Sequence, residues 1–187
     1  LGNRERLLAA SSPTGPAFEG AEISCGQRAA PGAIERIRID PVTLEPRFKV
    51  IGLEEWSDDP EFAEKKDQVG VTGICGSGII EAVAELFLAG VITEDGLIDG
   101  RLAAKSPRVV QRGRTHAYVV AQDGIEIAIG QRDIRSIQLA KAALYAGVKL
   151  LLDKLGNPEL GRIRLAGAFG SYIDTKYAMI LGLIPDC

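Results

Sequence analysis

An α/β domain is what the sequence predicts, on three adjacent observations. The stretch "QRDIRSIQLAKAALYAGVKLLLDKLG" repeats Ile134, Ile137, Leu144, Val148, Leu151 and Leu155 at helical spacing. It is followed by "GRIRLAGAFG", an apolar run ending in glycines, and then by "SYIDTKYAMILGL", where a helical pattern resumes. Helix, strand, glycine turn and helix in that order form an α/β layer, whose ligands sit at the carboxyl end of the strand.

Earlier elements follow from local pattern. Gly2 and Asn3 form a turn before a predicted strand over residues 7–10. In "SSPTGPAFEGAEISCG", Thr14 or Gly15 can cap a helix with Pro16 and Glu19 in its first turn, and Gly26 stops it. "AIERIRID" alternates with period two, and "RFKVIG" follows as its partner strand, in a hairpin or part of a meander. "LEEWSDDPEFAEKKDQ" reads as an irregular surface connection anchored by Trp56. "GICGSGIIEAVAELFLAGVI" is an amphipathic helix with Ile80, Val83, Ala84 and Phe87 on one face, Glu81 and Glu85 on the other, and Gly90 as its end. "HAYVVAQDGIEIAIG" is a hairpin across Asp123-Gly124. In the long helix, Asp133 lies in the first turn and Gly156 with Pro158 ends it.

Composition limits the function classes. At 187 residues, with 46% hydrophobic and 25% charged, the chain has the make-up of a soluble globular protein. A net charge of −3 and a pI near 5.3 give no electrostatic reason to expect nucleic acid or an anionic membrane as partner. No apolar run is long enough to span a bilayer, and no secretory leader opens the sequence, so the cytoplasm is the expected compartment. Cys25, Cys75 and Cys187 are odd in number and far apart, which fits reduced thiols. One histidine, His116, and no C-x-x-C argue against a zinc or iron-sulfur site built by this chain alone, and His116 is assigned no role. The chain does not begin with Met and is expected to be a fragment of a larger protein.

Glycine is entropically costly, so the turn Gly167, Ala168, Phe169, Gly170 and Ser171 asks for a close neighbour: either a packing partner or a ligand. "GICGSG" offers a second glycine-rich helix start, in which Gly76 and Ser77 could hold an anion. It is not a P-loop, because Ile79 and Ile80 follow the last glycine where a Lys and a hydroxyl residue are needed. Cys75 beside it reads as a small buried residue. Lys141 falls inside the apolar stripe of the long helix; it either snorkels to water or holds its cation near a phosphate or a carboxylate. Glu19 can orient a ligand or a metal-bound water, although an acid in a first helical turn needs no further reason.

Four stretches taken together, "GPAFEGAEISCGQRAAPGAIE", "GICGSGIIEAVAELFLAGVI", "DIRSIQLAKAALYAGVKLLL" and "LAGAFGSYIDTKYAMILGLIP", resemble the carboxyl-terminal domain of the reductive activators of corrinoid proteins. That domain is of the acetate and sugar kinase, heat-shock chaperone and actin (ASKHA) superfamily. The resemblance implies a ribonuclease H-like, actin-like ATPase domain fragment, with a core layer over residues 1–52 and 130–187 and an inserted α+β subdomain over 53–129. It also implies an ATP-dependent protein that restores a cobalt(II) corrinoid to cobalt(I), so that a methyltransferase can resume.

The implied cofactors are ATP with Mg²⁺, and a two-iron two-sulfur cluster in an amino-terminal domain outside this chain. The implied partner is the corrinoid protein, and a homodimer is compatible with it. Gly167, Ala168, Phe169, Gly170 and Ser171 would border the adenine or ribose, with Gly15, Pro16, Phe18 and Glu19 lining the same cleft. The superfamily's second phosphate hairpin would fall before Leu1, so the isolated chain is expected to bind nucleotide weakly and not to hydrolyse it. Two other readings stay open: a non-enzymatic corrinoid-protein docking domain, and a small-molecule kinase of the same superfamily.

Overall fold

The computed structural model describes residues 1–167 and 169–185. Its first sheet grows from the period-two alternation: β1 (Ala33–Ile39) pairs antiparallel with β2 (Pro46–Val50). Asp40 closes the hairpin, its Oδ1 accepting from the N–H groups of Thr43 at 2.7 Å and Val42 at 2.8 Å, and these bonds hold its carboxyl below the usual carboxylate range. Leu44 takes a left-handed conformation with φ 62°. Burial of its side chain and the 2.8 Å bond from the Tyr118 hydroxyl to its carbonyl oppose the strain.

The connection expected to be irregular carries a short helix, α1 (Pro60–Lys65), with Pro60 in the first turn and Lys65 in the last. Six residues are too few for helical periodicity to show in a sequence. Phe62, its buried residue, meets Phe48 edge-on at 5.8 Å. Trp56 is an anchor as expected, by a specific means: the guanidinium groups of Arg47 and Arg38 lie 4.9 and 5.7 Å from its ring centre.

β3 (Gly73–Ile74) adds parallel to β1, giving the order β2-β1-β3. Residues 25–27 run along its other side, with Ile74 N–H donating to Cys25 O at 2.8 Å and Gln27 N–H to Ile74 O at 2.9 Å. The helix expected over residues 16–26 therefore shrinks to a single 3-10 turn, Ala17–Glu19. Gly20, at φ 84°, ends it and frees the backbone to reach the sheet.

α2 (Gly76–Leu88) follows at once. It ends as read, with Gly90 at φ 71°, the Gly90 N–H on Phe87 O and the Val91 N–H on Leu86 O. Its faces are not as read. Glu81 is 1% exposed and Glu85 8%, while Phe87 is 41% exposed, because the carboxylates face β1 and take its free N–H groups.

The second sheet has the order β4-β5-β6, all antiparallel: β4 (Val109–Arg112), β5 (Thr115–Asp123) and β6 (Ile125–Gly130). The Asp123-Gly124 turn is formed as expected, with Gly124 at φ 73°. Ahead of this sheet Asp99 caps the 3-10 turn Gly100–Ala104, and the Arg101 guanidinium on its carboxylate pulls the Asp99 pKa down to about 2. A depressed carboxyl contributes stability that is complete above the unfolded value near 3.8 and is lost as pH falls through 2. Asp99→Asn should flatten the stability–pH curve between pH 4 and 2, as read by acid titration of the circular dichroism signal; an unchanged slope refutes the assignment.

α3 (Gln131–Lys154) starts on Asp133, whose Oδ2 accepts the Gly130 N–H at 2.8 Å, while Oδ1 accepts from the N–H and hydroxyl of Ser24 at 2.8 and 2.9 Å. Ile134, Ile137 and Ala140 are buried. Farther along, Leu144, Val148, Leu151 and Leu155 are only half-buried, and Leu139, Tyr145 and Leu150 are exposed.

Two expected strands are absent: residues 7–10 make one bridge, Gly2 with Leu7, and residues 161–166 pair with nothing among the described residues. An extended segment without a partner has no ladder to hold it. The closing helix is shorter than its pattern: a 3-10 turn at Gly170–Tyr172, then α4 (Thr175–Ile180) capped by the Asp174 side chain on the Lys176 N–H. One apolar cluster joins both sheets, α2, the start of α3 and α4. Among the described residues no helix is long and apolar enough to cross a membrane.

Candidate functional site

Three segments far apart in sequence meet at the start of α2. A Cβ placed on Gly76 would stand 2.0 Å from the Phe18 carbonyl oxygen and 2.6 Å from Cε2 of Phe169, so only glycine fits between them. This contact fastens the Ala17–Glu19 turn and the turn at Phe169 to one helix end. Beside it opens a cleft of about 670 Å³, with Glu19, Gly76, Ser77 and Phe169 on its walls together with Arg28 and Tyr172. Its size is in the range of small-molecule sites.

The remaining candidates take other places. Gly167, at φ 99°, has nothing within 4 Å of where a Cβ would sit, so its glycine answers a backbone requirement and leaves open space. The N–H and hydroxyl of Ser171 both donate to Gly167 O, at 3.1 and 2.9 Å, so that hydroxyl is engaged within its own turn. A Cβ on Gly170 would meet only ordinary contacts, 3.6 Å from Leu165 at the nearest. Ala168 lies outside the described residues.

Phe18 is buried, its ring in the core and its carbonyl on Gly76. Gly15 and Pro16 are exposed, and Gly15 faces Glu22. Lys141 is elsewhere: it lines a separate cavity of about 210 Å³ with Val83, Phe87, Gln138 and Ile180. Arg28 and Tyr172 had no sequence signal beyond their nearness to candidate turns. The Cys75 thiol is buried and 3.2 Å from the Ser77 hydroxyl.

Behind the cleft, α2 carries a charged lattice. Glu81 Oε2 accepts the Ile37 N–H at 3.1 Å and Oε1 bonds the Arg38 guanidinium. Glu85 Oε2 accepts the Ile39 N–H at 2.9 Å and Oε1 the Tyr177 hydroxyl at 2.5 Å. The two spacings match: four residues of helix advance ~6 Å and two residues of strand ~6.6 Å. Burial pushes the Glu81 pKa up, with Arg38 opposing it; Arg38, which burial would lower, is raised because Glu81 bonds it. Burial raises the Tyr177 hydroxyl, and Glu85 adds to that shift. The Arg38 guanidinium also lies 4.9 Å from the Tyr177 ring centre.

The rings of Phe169 and Tyr172, the hydroxyl of Ser77 and the cation of Arg28 suit a flat, polar-edged organic ligand such as a nucleoside. Among the described residues no group of three or more His, Cys, Asp or Glu could hold a metal ion. Three cysteines in all cannot supply the four thiolates of an iron-sulfur cluster.

The fold is that of an α/β domain of the ASKHA class. The chain belongs to the family of the C-terminal domain of RACo, the ASKHA domain, whose model matches residues 1–187. It is 34% identical over 197 aligned positions to the corrinoid activation enzyme RamQ of Eubacterium limosum, covering 99% of this chain and 30% of that protein. It is 31% identical over 190 positions to the [Co(II) methylated amine-specific corrinoid protein] reductase of Methanosarcina barkeri, covering 97% of this chain and 32% of that one. A solved structure, the reductive activator for corrinoid,iron-sulfur protein, superposes with a TM-score of 0.76 at 35% identity, over 92% of this chain and 26% of that chain. The resemblance drawn from the four sequence stretches therefore holds, and the chain spans about a third of the length of the curated relatives it matches.

Proposed function

We propose that this chain forms one side of the nucleotide site of an ATP-dependent reductive activator, which returns a cobalt(II) corrinoid protein to cobalt(I) for methyl transfer. The observation that carries this reading is the convergence of Glu19, Gly76, Ser77, Phe169 and Tyr172, from three separate segments, on one cleft of nucleoside size. In this reading the aromatic rings take the base, Arg28 and Glu19 orient polar edges, and Gly167 leaves the main chain uncrowded. ATP with Mg²⁺ would supply the driving free energy. Nucleotide can shift a domain arrangement only by binding its two forms unequally.

The names of the relatives support a corrinoid protein as the partner. We keep the division into a core layer over 1–52 and 130–187 with an inserted subdomain over 53–129 as part of the proposal, and place its action in the cytoplasm. Calorimetric titration of the protein that carries this chain with a non-hydrolysable ATP analogue tests the reading. Binding heat is expected; no heat with intact corrinoid-protein binding would favour a docking role, and a phosphorylated small-molecule product would favour a kinase. Gly167→Val should abolish that heat with little loss of folded protein, because φ 99° excludes a β-branched residue while the surrounding space is open. Unchanged affinity removes Gly167 from the site.

A further inference from the structure

Between residues 158 and 184 the chain is tied to the rest of the molecule by one hydrogen bond among the described residues, that from the Tyr177 hydroxyl to Glu85. Residues 158–166 make none among the described residues, and the bonds of Ser171, Tyr172 and Ile173 stay within their own turn. Two wall residues of the cleft, Phe169 and Tyr172, thus belong to a strap whose remaining hold on the body is the Arg38 cation over the Tyr177 ring and apolar contact: Phe169 on Gly76, with Ala178 and Leu183 buried. Apolar contacts resist separation but are non-directional, whereas a charge-assisted hydrogen bond fixes one register.

Glu85 is itself immobilised. Its second oxygen is taken by the Ile39 N–H, so the carboxylate is bolted to β1 and cannot follow the strap if the strap moves. The ring of Tyr177 also meets the Arg38 guanidinium, which Glu81 fixes in turn.

We propose that Tyr177 and Glu85 are positioning residues for the cleft: their hydrogen bond sets where Phe169 and Tyr172 stand relative to Glu19, Gly76 and Ser77, and so sets the width of the site. Neither residue lines the cleft. The claim about the wall's position stands on geometry alone; its consequence for nucleotide rests on the function proposed above.

Tyr177→Phe keeps the ring, its burial and its contact with Arg38, and removes only the bond. The test is amide hydrogen exchange of residues 169–173 by mass spectrometry without nucleotide, on the protein that carries this chain, alongside chemical denaturation and titration with the ATP analogue. Tyr177→Phe should accelerate exchange in that segment roughly tenfold, the worth of one charge-assisted hydrogen bond, while exchange in β1 and β5 stays near wild type. Nucleotide affinity should fall by a similar factor.

Glu85→Gln provides the rescue. Its amide oxygen can still accept from Ile39 and its NH₂ can donate to the Tyr177 oxygen, so exchange and affinity should stay within about threefold of wild type. Exchange at 169–173 that is unchanged in Tyr177→Phe, or that rises equally everywhere in step with global stability, overturns the proposal. If the wild type shows no nucleotide binding while the exchange results come out as expected, the positioning role stands and the nucleotide reading fails. If wild-type binding is present and affinity is unaffected despite faster exchange, Tyr177 positions the strap but not the site, which also overturns the proposal.

Discussion

Replacing Glu81 by Ala should lower the unfolding free energy by about 3 kcal/mol, the lower end of the cost of breaking a buried ion pair. The residue is 1% exposed, and its loss leaves the Ile37 N–H without its acceptor, no strand lying beside it among the described residues, and takes the carboxylate partner from the Arg38 guanidinium, which keeps only its bond to the Ile37 carbonyl. The lower end applies because the Arg38 side chain keeps 33% exposure and water can reach part of it. Glu81→Gln should cost less, since an amide oxygen still accepts from Ile37 while the charge on Arg38 goes unpaired. Denaturant titrations of the two variants rank them. Equal and small losses would mean that the carboxylate is ornamental to the fold.

Gly78→Ala should destabilise the protein by about 2 kcal/mol, although alanine is the better helix former by about 1 kcal/mol. A Cβ there would lie 2.3 Å from the Ile34 carbonyl oxygen and 3.0 Å from Cγ2 of Ile74, so α2 would have to lift off the first sheet. Backbone does not yield as a side-chain tip does. Gly90→Ala is the control: its Cβ would meet nothing within 4 Å, so it costs only the left-handed strain at φ 71°. A Gly78→Ala variant as stable as wild type would show that α2 is loosely seated.

Elements whose cause is local were legible in the sequence. The β1–β2 hairpin, the Asp123-Gly124 turn, the Gly90 stop and the Asp133 start of α3 each depend on residues within a few positions of one another. Misreadings came where a distant partner decides. Glu81 and Glu85 look solvent-facing by helical periodicity, and only the N–H groups of Ile37 and Ile39 explain why they turn inward. The helix expected at 16–26 gave way because residues 25–27 are worth more beside Ile74 than in another turn. The strands expected at 7–10 and 161–166 have suitable residues but no neighbour among the described ones.

The site was legible in part for the same reason. Glycine-rich turns announced Gly76, Ser77 and Phe169, and the structure brings them together with Glu19. It keeps Lys141 apart, because the cavity that Lys141 lines is bounded by Phe87 and Ile180 instead. Arg28 and Tyr172 stand in ordinary sequence surroundings, and only tertiary packing selects them.

The carboxylate pair on α2 also bears on how crowded molecules behave. Past the short β3, the outer margin of β1 would present a row of amide hydrogens to any extended chain that drifted by. Glu81 and Glu85 occupy the Ile37 and Ile39 amides from within, and an approaching strand finds those donors already spent. That stretch of the sheet margin is thereby closed to edge pairing from the interior of the protein rather than by charge on its surface.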